Sequence, residues 1–199
     1  MKNAKPTTLC LIDDDAEVRR TLREFFQNNP AYSVVGEASD GLDGVELCGK
    51  IRPDVALVDI QMPLLDGITT TRLLLAKGYA RCVILLTAFD DRTYIEGALQ
   101  AGAYGYLTKP FEPDKILPTL ELCISRSREH HVLEKNWNRL TARENEREAV
   151  DRAKLLLMEA RGMNETDAYR YIRELSRRKK MSMGKVSDYL IARLEQTDG

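Results

Sequence analysis

The chain has 199 residues, 43% hydrophobic and 31% charged, with a formal net charge of −1. That composition belongs to a soluble globular protein with room for one ordinary domain and one small one, and it excludes a disordered or collagen-like chain. The opening Met1-Lys2-Asn3-Ala4-Lys5-Pro6 leads into an apolar run of residues 9–12 only, too short for a secretory leader, and no run of roughly 18 apolar residues exists to span a membrane, so a cytoplasmic protein is expected.

Taken in chain order, short apolar runs alternate with helical patterns. Residues 8–12 read as a strand closed by Asp13 and Asp14, and Val18, Leu22, Phe25 and Phe26 then space as one helix face. Runs at 33–36, 55–58, 82–86 and 104–107 follow; Asp59 closes the third strand, Thr87 the fourth, and Lys109-Pro110 follows the fifth. Three of these runs are apolar almost throughout, as strands covered on both faces must be. Ile116, Leu120, Cys123 and Ile124 mark one face of a further helix. Five βα units predict an α/β fold: a doubly wound, five-stranded parallel sheet with right-handed crossovers.

Ligands of such sheets sit beyond the carboxyl ends of the strands, where the strand order reverses. With the order 2-1-3-4-5, Asp13 and Asp14 face Asp59 across that point. Two carboxylates about 4 Å apart repel by roughly 4 kcal/mol at an effective dielectric of about 20, a penalty that a divalent cation removes. Magnesium suits an all-oxygen donor set and keeps several of its waters. Carboxylates, a cation, a hydroxyl and an ammonium together suit phosphoryl transfer onto the protein, with Asp59 as nucleophile and Lys109 and Thr87 holding phosphate oxygens.

Asp13-Asp14, Asp59-x-x-Met62-Pro63-x-x-Asp66-Gly67, Thr87-Ala88 and Lys109-Pro110-Phe111 closely resemble the receiver domain of bacterial response regulators, which have a flavodoxin-like fold. The resemblance implies a receiver over residues 7–127 that accepts phosphate from a sensor histidine kinase and is not itself an enzyme beyond slow self-dephosphorylation. It further implies that Asp59 is the phosphoacceptor and that Asp14, Asp59 and the Gln61 backbone carbonyl bind Mg2+, with Asp13 helping through water. Thr87 and Lys109 would sense the phosphoryl group, Tyr106 would be the switch aromatic, and the Lys109-Pro110 bond would be cis.

Beyond the receiver, the helical pattern that begins at Pro113 runs on to about residue 138, and residues 128–145 read as a connector. Leu133, Trp137 and Leu140 space as a short coiled-coil seam that either pairs two protomers or packs on the next domain; a phosphorylation-promoted homodimer is the expectation. Thr141-x-x-Glu144 has the form of a capping box and predicts a helix restart. Val150, Ala153, Leu157 and Ala160 give that helix a face, which Gly162 ends as a C-cap. Asn164-x-x-Asp167 caps a second helix carrying Ala168, Ile172 and Leu175, with Met163 stapled onto Ala168, and Ser182 caps a third carrying Val186, Leu190 and Leu194. Residues 146–196 thus form a small three-helix domain, near the lower size limit for independent stability.

Charge separates the two parts. Residues 1–125 hold 13 Lys/Arg against 18 Asp/Glu, and residues 126–199 hold 17 against 13, so the second part is the one suited to a polyanion. Seven basic residues and one acidic residue fall between 170 and 185, with Tyr169 and Tyr171 interleaved as ring faces for unpaired bases. Ala153-Lys154-x-Leu156-Leu157-Met158, Gly162-Met163-x-Glu165, Ala168-Tyr169-Arg170 and Ile172-Arg173 resemble the ANTAR domain. That family implies binding of short RNA hairpin loops in leader transcripts and transcription antitermination, with Lys154, Tyr169, Arg170 and Arg173 as contacts and Arg177 and Lys185 behind them. Leu155 stands where the family usually has glycine, and Ser176-Arg177 where a small residue and methionine are usual.

Leu140-Thr141-x-Arg143-Glu144 also resembles the opening of a LuxR-type DNA-binding domain, but no matching recognition helix follows Gly162. A purely protein-binding output would need an exposed apolar patch rather than a basic stripe. Cys10, Cys48, Cys82 and Cys123, with no C-x-x-C pair, read as reduced buried thiols, and the adjacent His130 and His131 as exposed side chains rather than metal ligands.

Overall fold

A computed structural model describes residues 5–88 and 92–195; Met1–Ala4 and the expected domain limit at 196 lie outside the described residues. The elements in chain order are β1 (Thr7–Ile12), α1 (Ala16–Gln27), β2 (Tyr32–Ala38), α2 (Gly41–Ile51), β3 (Val55–Asp59), α3 (Gly67–Ala76), β4 (Cys82–Thr87), α4 (Arg92–Gln100), β5 (Gly105–Thr108), α5 (Pro113–Arg161), α6 (Glu165–Lys179) and α7 (Met183–Glu195). The chain divides into two compact units, Met1–His131 and Val132–Gly199.

In the first unit the five strands pair in parallel in the order β2-β1-β3-β4-β5. β3 and β4 are buried at every position, which is why their sequences are apolar rather than alternating. Alternate residues feed two cores. Leu9, Leu11, Val55, Leu57, Ile84 and Leu86 meet Leu22 and Phe26 of α1 and Ile116 and Leu120 of α5 on one face. Cys10, Ile12, Ala56, Val58, Val83 and Leu85 meet Val45 and Cys48 of α2, Leu74 of α3 and Ala98 of α4 on the other. Aspartates start three of the helices: Asp15, Asp40 and Asp66 accept from the backbone N–H of Glu17, Asp43 and Thr69, worth about 1 kcal/mol each. The Lys109-Pro110 bond is cis.

All four cysteines are free and buried. Of the histidine pair, His130 is exposed but His131 is half-buried, its Nε2 donating to the Arg81 carbonyl at 3.0 Å, so the expectation of two exposed rings holds for one only.

The second unit packs the later part of α5 against α6 and α7. Val150, Ala153, Leu157, Ala168, Ile172, Val186 and Leu190 are buried together, with Met158, Met163, Leu175 and Leu194 partly buried around them. Gly162 adopts φ +63 just past α5, and its N–H donates to the Met158 carbonyl. Asn164 caps α6 through the Asp167 N–H at 2.9 Å, and the Ser182 hydroxyl accepts from the Lys185 N–H at 3.3 Å at the start of α7.

Two expectations are corrected. No helix restarts at Thr141, which lies inside α5. Between residues 119 and 161 there is no glycine or proline to break the helix, and in so Glu- and Arg-rich a stretch Thr-x-x-Glu arises without acting as a cap. Ala160 is exposed, and Met158 covers the core in its place.

Candidate functional site

The carboxyl ends of the central strands bring the acidic residues together. The pairings Ile12↔Val58 and Asp59↔Leu86 set the end of β3 between β1 and β4, and Thr87↔Thr108 sets β5 beside them. Asp13 follows β1, Asp59 ends β3, Thr87 ends β4 and Lys109 follows β5. Carboxylate oxygens of Asp13, Asp14 and Asp59 lie within 4.8 Å of one another. Asp13, Asp59 and Thr87 are buried, whereas Asp14 is exposed.

Lys109 Nζ lies 2.7 Å from Asp13 Oδ2 and 2.8 Å from Asp59 Oδ1, and the Lys109 N–H donates to the Thr87 carbonyl at 2.7 Å. Burial pushes the carboxyls of Asp13 and Asp59 above the usual carboxylate range, against the pull of Lys109. Burial works against the Lys109 ammonium, yet the two carboxylates hold its pKa above the ordinary value. Three carboxylates against one ammonium leave two negative charges in a half-buried pocket of oxygen donors, and that set fits a hard divalent cation.

The loop after β3 is shaped by Gly67. A Cβ there would lie 2.0 Å from the Asp59 carbonyl oxygen, while the Gly67 N–H donates to the Ile60 carbonyl at 2.9 Å, so only glycine lets α3 start this close to Asp59. Within the loop the Gln61 N–H donates to Asp59 Oδ2 at 3.1 Å. Tyr106 on β5 is 39% exposed, its ring lining a small cleft of about 80 Å3 with Phe111, Lys115 and Thr119. Sequence reasoning did not single out Arg19 of α1, whose Nη1 donates to the Asp13 carbonyl at 2.5 Å.

In the second unit, Tyr169, Arg170, Arg173, Arg177 and Lys185 are all exposed. Arg170 pairs with Asp167 at 3.2 Å. Lys154 is placed differently: its side chain is 16% exposed, with Nζ 2.8 Å from both Asp151 and Glu165, so it ties the end of α5 to the start of α6. Tyr171 is half-buried against the core with Arg161 5.2 Å over its ring, which corrects its reading as a free stacking surface. An aromatic the sequence reading passed over, Tyr189, is 71% exposed on α7 between Lys185 and Arg193, one turn to either side. Its signal was the Lys-x-x-x-Tyr-x-x-x-Arg spacing. Leu133, Trp137 and Leu140 are 67%, 71% and 54% exposed on α5.

Comparison with known proteins covers both units. Residues 9–121 match the response regulator receiver domain and residues 138–191 match the ANTAR domain. The transcriptional regulatory protein PdtaR of Mycobacterium tuberculosis is 36% identical over 191 residues, spanning 96% of this chain and 92% of that protein. The nitrate/nitrite response regulator protein NarL of Escherichia coli is 35% identical over 120 residues, 60% of this chain and 56% of NarL. Among solved structures, the signal receiver domain of the response regulator NarL from Mycobacterium tuberculosis superposes with a TM-score of 0.58 at 29% identity, over 61% of this chain and 98% of that one.

Proposed function

The chain belongs to the response regulators that join a receiver domain to an ANTAR domain, and from that premise we propose that it is a cytoplasmic phosphorylation-controlled RNA-binding antiterminator. Among the described residues no helix is long and apolar enough to cross a membrane. The observation that carries the reading is the doubly negative pocket around Asp59 in a chain whose other unit is basic.

Asp14, Asp59 and the Gln61 backbone carbonyl would hold Mg2+, with Asp13 acting through water. The ion supplies charge neutralisation for the phosphoryl oxygens. The protein's own residues do the rest. Asp59, its basicity raised by burial, attacks the phosphorus of a phosphohistidine on a sensor kinase: the new O–P bond forms as the P–N bond breaks, the kinase imidazole leaves and takes a proton from solvent, and Asp59 is left as an acyl phosphate. Once phosphorylated, Asp59 no longer offers Lys109 a full carboxylate charge, so the ammonium turns from Asp59 to a phosphoryl oxygen. The Thr87 hydroxyl moves to a second oxygen, and Tyr106 rotates inward into the space this vacates. No catalytic turnover beyond slow self-dephosphorylation is proposed.

The exposed Leu133, Trp137 and Leu140 then pair two protomers, and RNA hairpin loops bind the second unit. Tyr169 and Tyr189 stack bases, Arg170, Arg173, Arg177 and Lys185 contact phosphates, and Lys154 positions the helices that carry them. The ANTAR match covers the segment that a LuxR-type DNA-binding domain would occupy, so the DNA reading is the weaker one. A test is Mg2+-dependent labelling by a small phosphodonor followed by crosslinking to transcripts with duplex DNA as competitor. Asp59→Asn abolishes labelling on this reading. Undiminished labelling removes Asp59 as acceptor, and preferential crosslinking to DNA removes RNA as the partner.

A further inference from the structure

Behind the acidic pocket, Arg19 of α1 reaches back to the end of β1. Its Nη1 donates to the Asp13 carbonyl at 2.5 Å, and its Nε lies 3.8 Å from Glu37 Oε2 on the edge strand β2. Glu37 also takes Arg23 Nη1 at 2.7 Å, and the Arg19 side chain is only 18% exposed. The Asp13 carbonyl belongs to the planar peptide that joins Asp13 to Asp14, so whatever holds that oxygen fixes the backbone of both acidic residues. On its other side the Asp13 N–H donates to the Ala38 carbonyl at 3.2 Å. Asp13 is thus anchored by its N–H on β2, by its carbonyl on Arg19 and by its carboxylate on Lys109. The exposed Asp14 inherits its direction from the same peptide.

We propose that Arg19 is a positioning residue for the divalent cation, holding the Asp13–Asp14 peptide so that both carboxylates converge on Asp59, while Glu37, shared with Arg23, offsets part of a charge that would repel the ion. The inference rests on the magnesium reading of the pocket. Two effects of removing Arg19 oppose each other. Loss of the brace weakens cation binding, and loss of a positive charge strengthens it. Because Glu37, though shared with Arg23, offsets part of that charge, and the brace fixes the backbone of two acidic residues at once, the brace dominates.

The test is Mg2+ binding by calorimetry on the unphosphorylated full chain, with circular dichroism to confirm folding. Arg19→Met weakens binding by about tenfold or more, as loss of a partner behind a metal ligand does. Arg19→Lys weakens it too, since an ammonium cannot reproduce the guanidinium fork. Glu37→Gln also weakens it, by leaving the Arg19 guanidinium without its second partner and its charge uncompensated behind Asp13. At saturating Mg2+ the maximal labelling rate of Arg19→Met returns to that of the parent. Affinity in Arg19→Met equal to or tighter than the parent overturns the proposal, and so does a labelling rate that stays low at saturation. Should Arg19→Met not fold, unchanged affinity in both Arg19→Lys and Glu37→Gln overturns it. A parent chain that binds no Mg2+ overturns the pocket reading instead.

Discussion

Replacing Gly67 by alanine tests whether the fold and the acidic pocket share one constraint. The added Cβ would lie 2.0 Å from the Asp59 carbonyl oxygen and 2.8 Å from both the Asp59 carbonyl carbon and the Ile60 Cα, where contacts under 3.0 Å essentially do not occur. All three neighbours are backbone atoms, so relief requires the start of α3 to move by about 1 Å rather than a side chain to turn. Such overpacking costs about 1–3 kcal/mol, and a rigid backbone neighbour puts it at the upper end. Alanine recovers up to about 1 kcal/mol as a better helix former, leaving a net loss of about 2 kcal/mol. That corresponds to a roughly thirtyfold rise in the population of opened receiver. The four cysteines are all buried in the first unit, so their modification by a thiol reagent under native conditions reports opening of that unit alone. Gly67→Ala is expected to speed this labelling about thirtyfold and to weaken Mg2+ binding, because the clash bears on the backbone of Asp59. Labelling within about twofold of the parent would refute the close approach as the reason for glycine.

Four further outcomes follow from particular residues. Lys109→Met leaves the buried carboxylates without their ammonium, which costs about 3–5 kcal/mol in the metal-free receiver while making the pocket more negative. Thermal unfolding with a magnesium titration should therefore show lower metal-free stability and tighter Mg2+ binding; weaker binding contradicts the charge argument. Trp137→Ala removes the most exposed side chain of the Leu133/Trp137/Leu140 seam and should raise the dissociation constant of the phosphorylated dimer by about thirtyfold, an anchor loss of about 2 kcal/mol. Light scattering showing the phosphorylated parent to be monomeric would end the dimer reading. Tyr169→Ala should cost about 1–3 kcal/mol of RNA affinity if its ring stacks a base. Arg173→Gln should lower the salt slope of binding by about 0.7, the loss of one phosphate contact on a single strand, and an unchanged slope places Arg173 outside the interface.

The sheet was legible because burial on both faces leaves so few residue types for β3 and β4, and the pocket because chemistry-bearing residues end successive strands. Features that depend on what a residue meets across space were not. Arg19 reads as one more basic residue on a helix, and only the fold brings its guanidinium to the Asp13 carbonyl. That Lys154, read in the sequence as an RNA contact, also bridges Asp151 and Glu165 is visible only in three dimensions. Tyr171 and Tyr189 exchange roles for the same reason: two aromatics in basic surroundings look alike in one dimension, and the core claims the first.

The misplaced helix start at Thr141 teaches the complementary point. A cap is defined by an extended backbone at its own residue, and a Thr-x-x-Glu pattern carries no information about that unless something upstream breaks the helix. Upstream of Thr141, back to residue 119, nothing does. Where a true start occurs, at Asn164, it follows Gly162 at φ +63, and the break and the cap come together. In a charged, glycine-free stretch such as this one, a cap pattern should be read as a helix start only when a breaker stands just ahead of it.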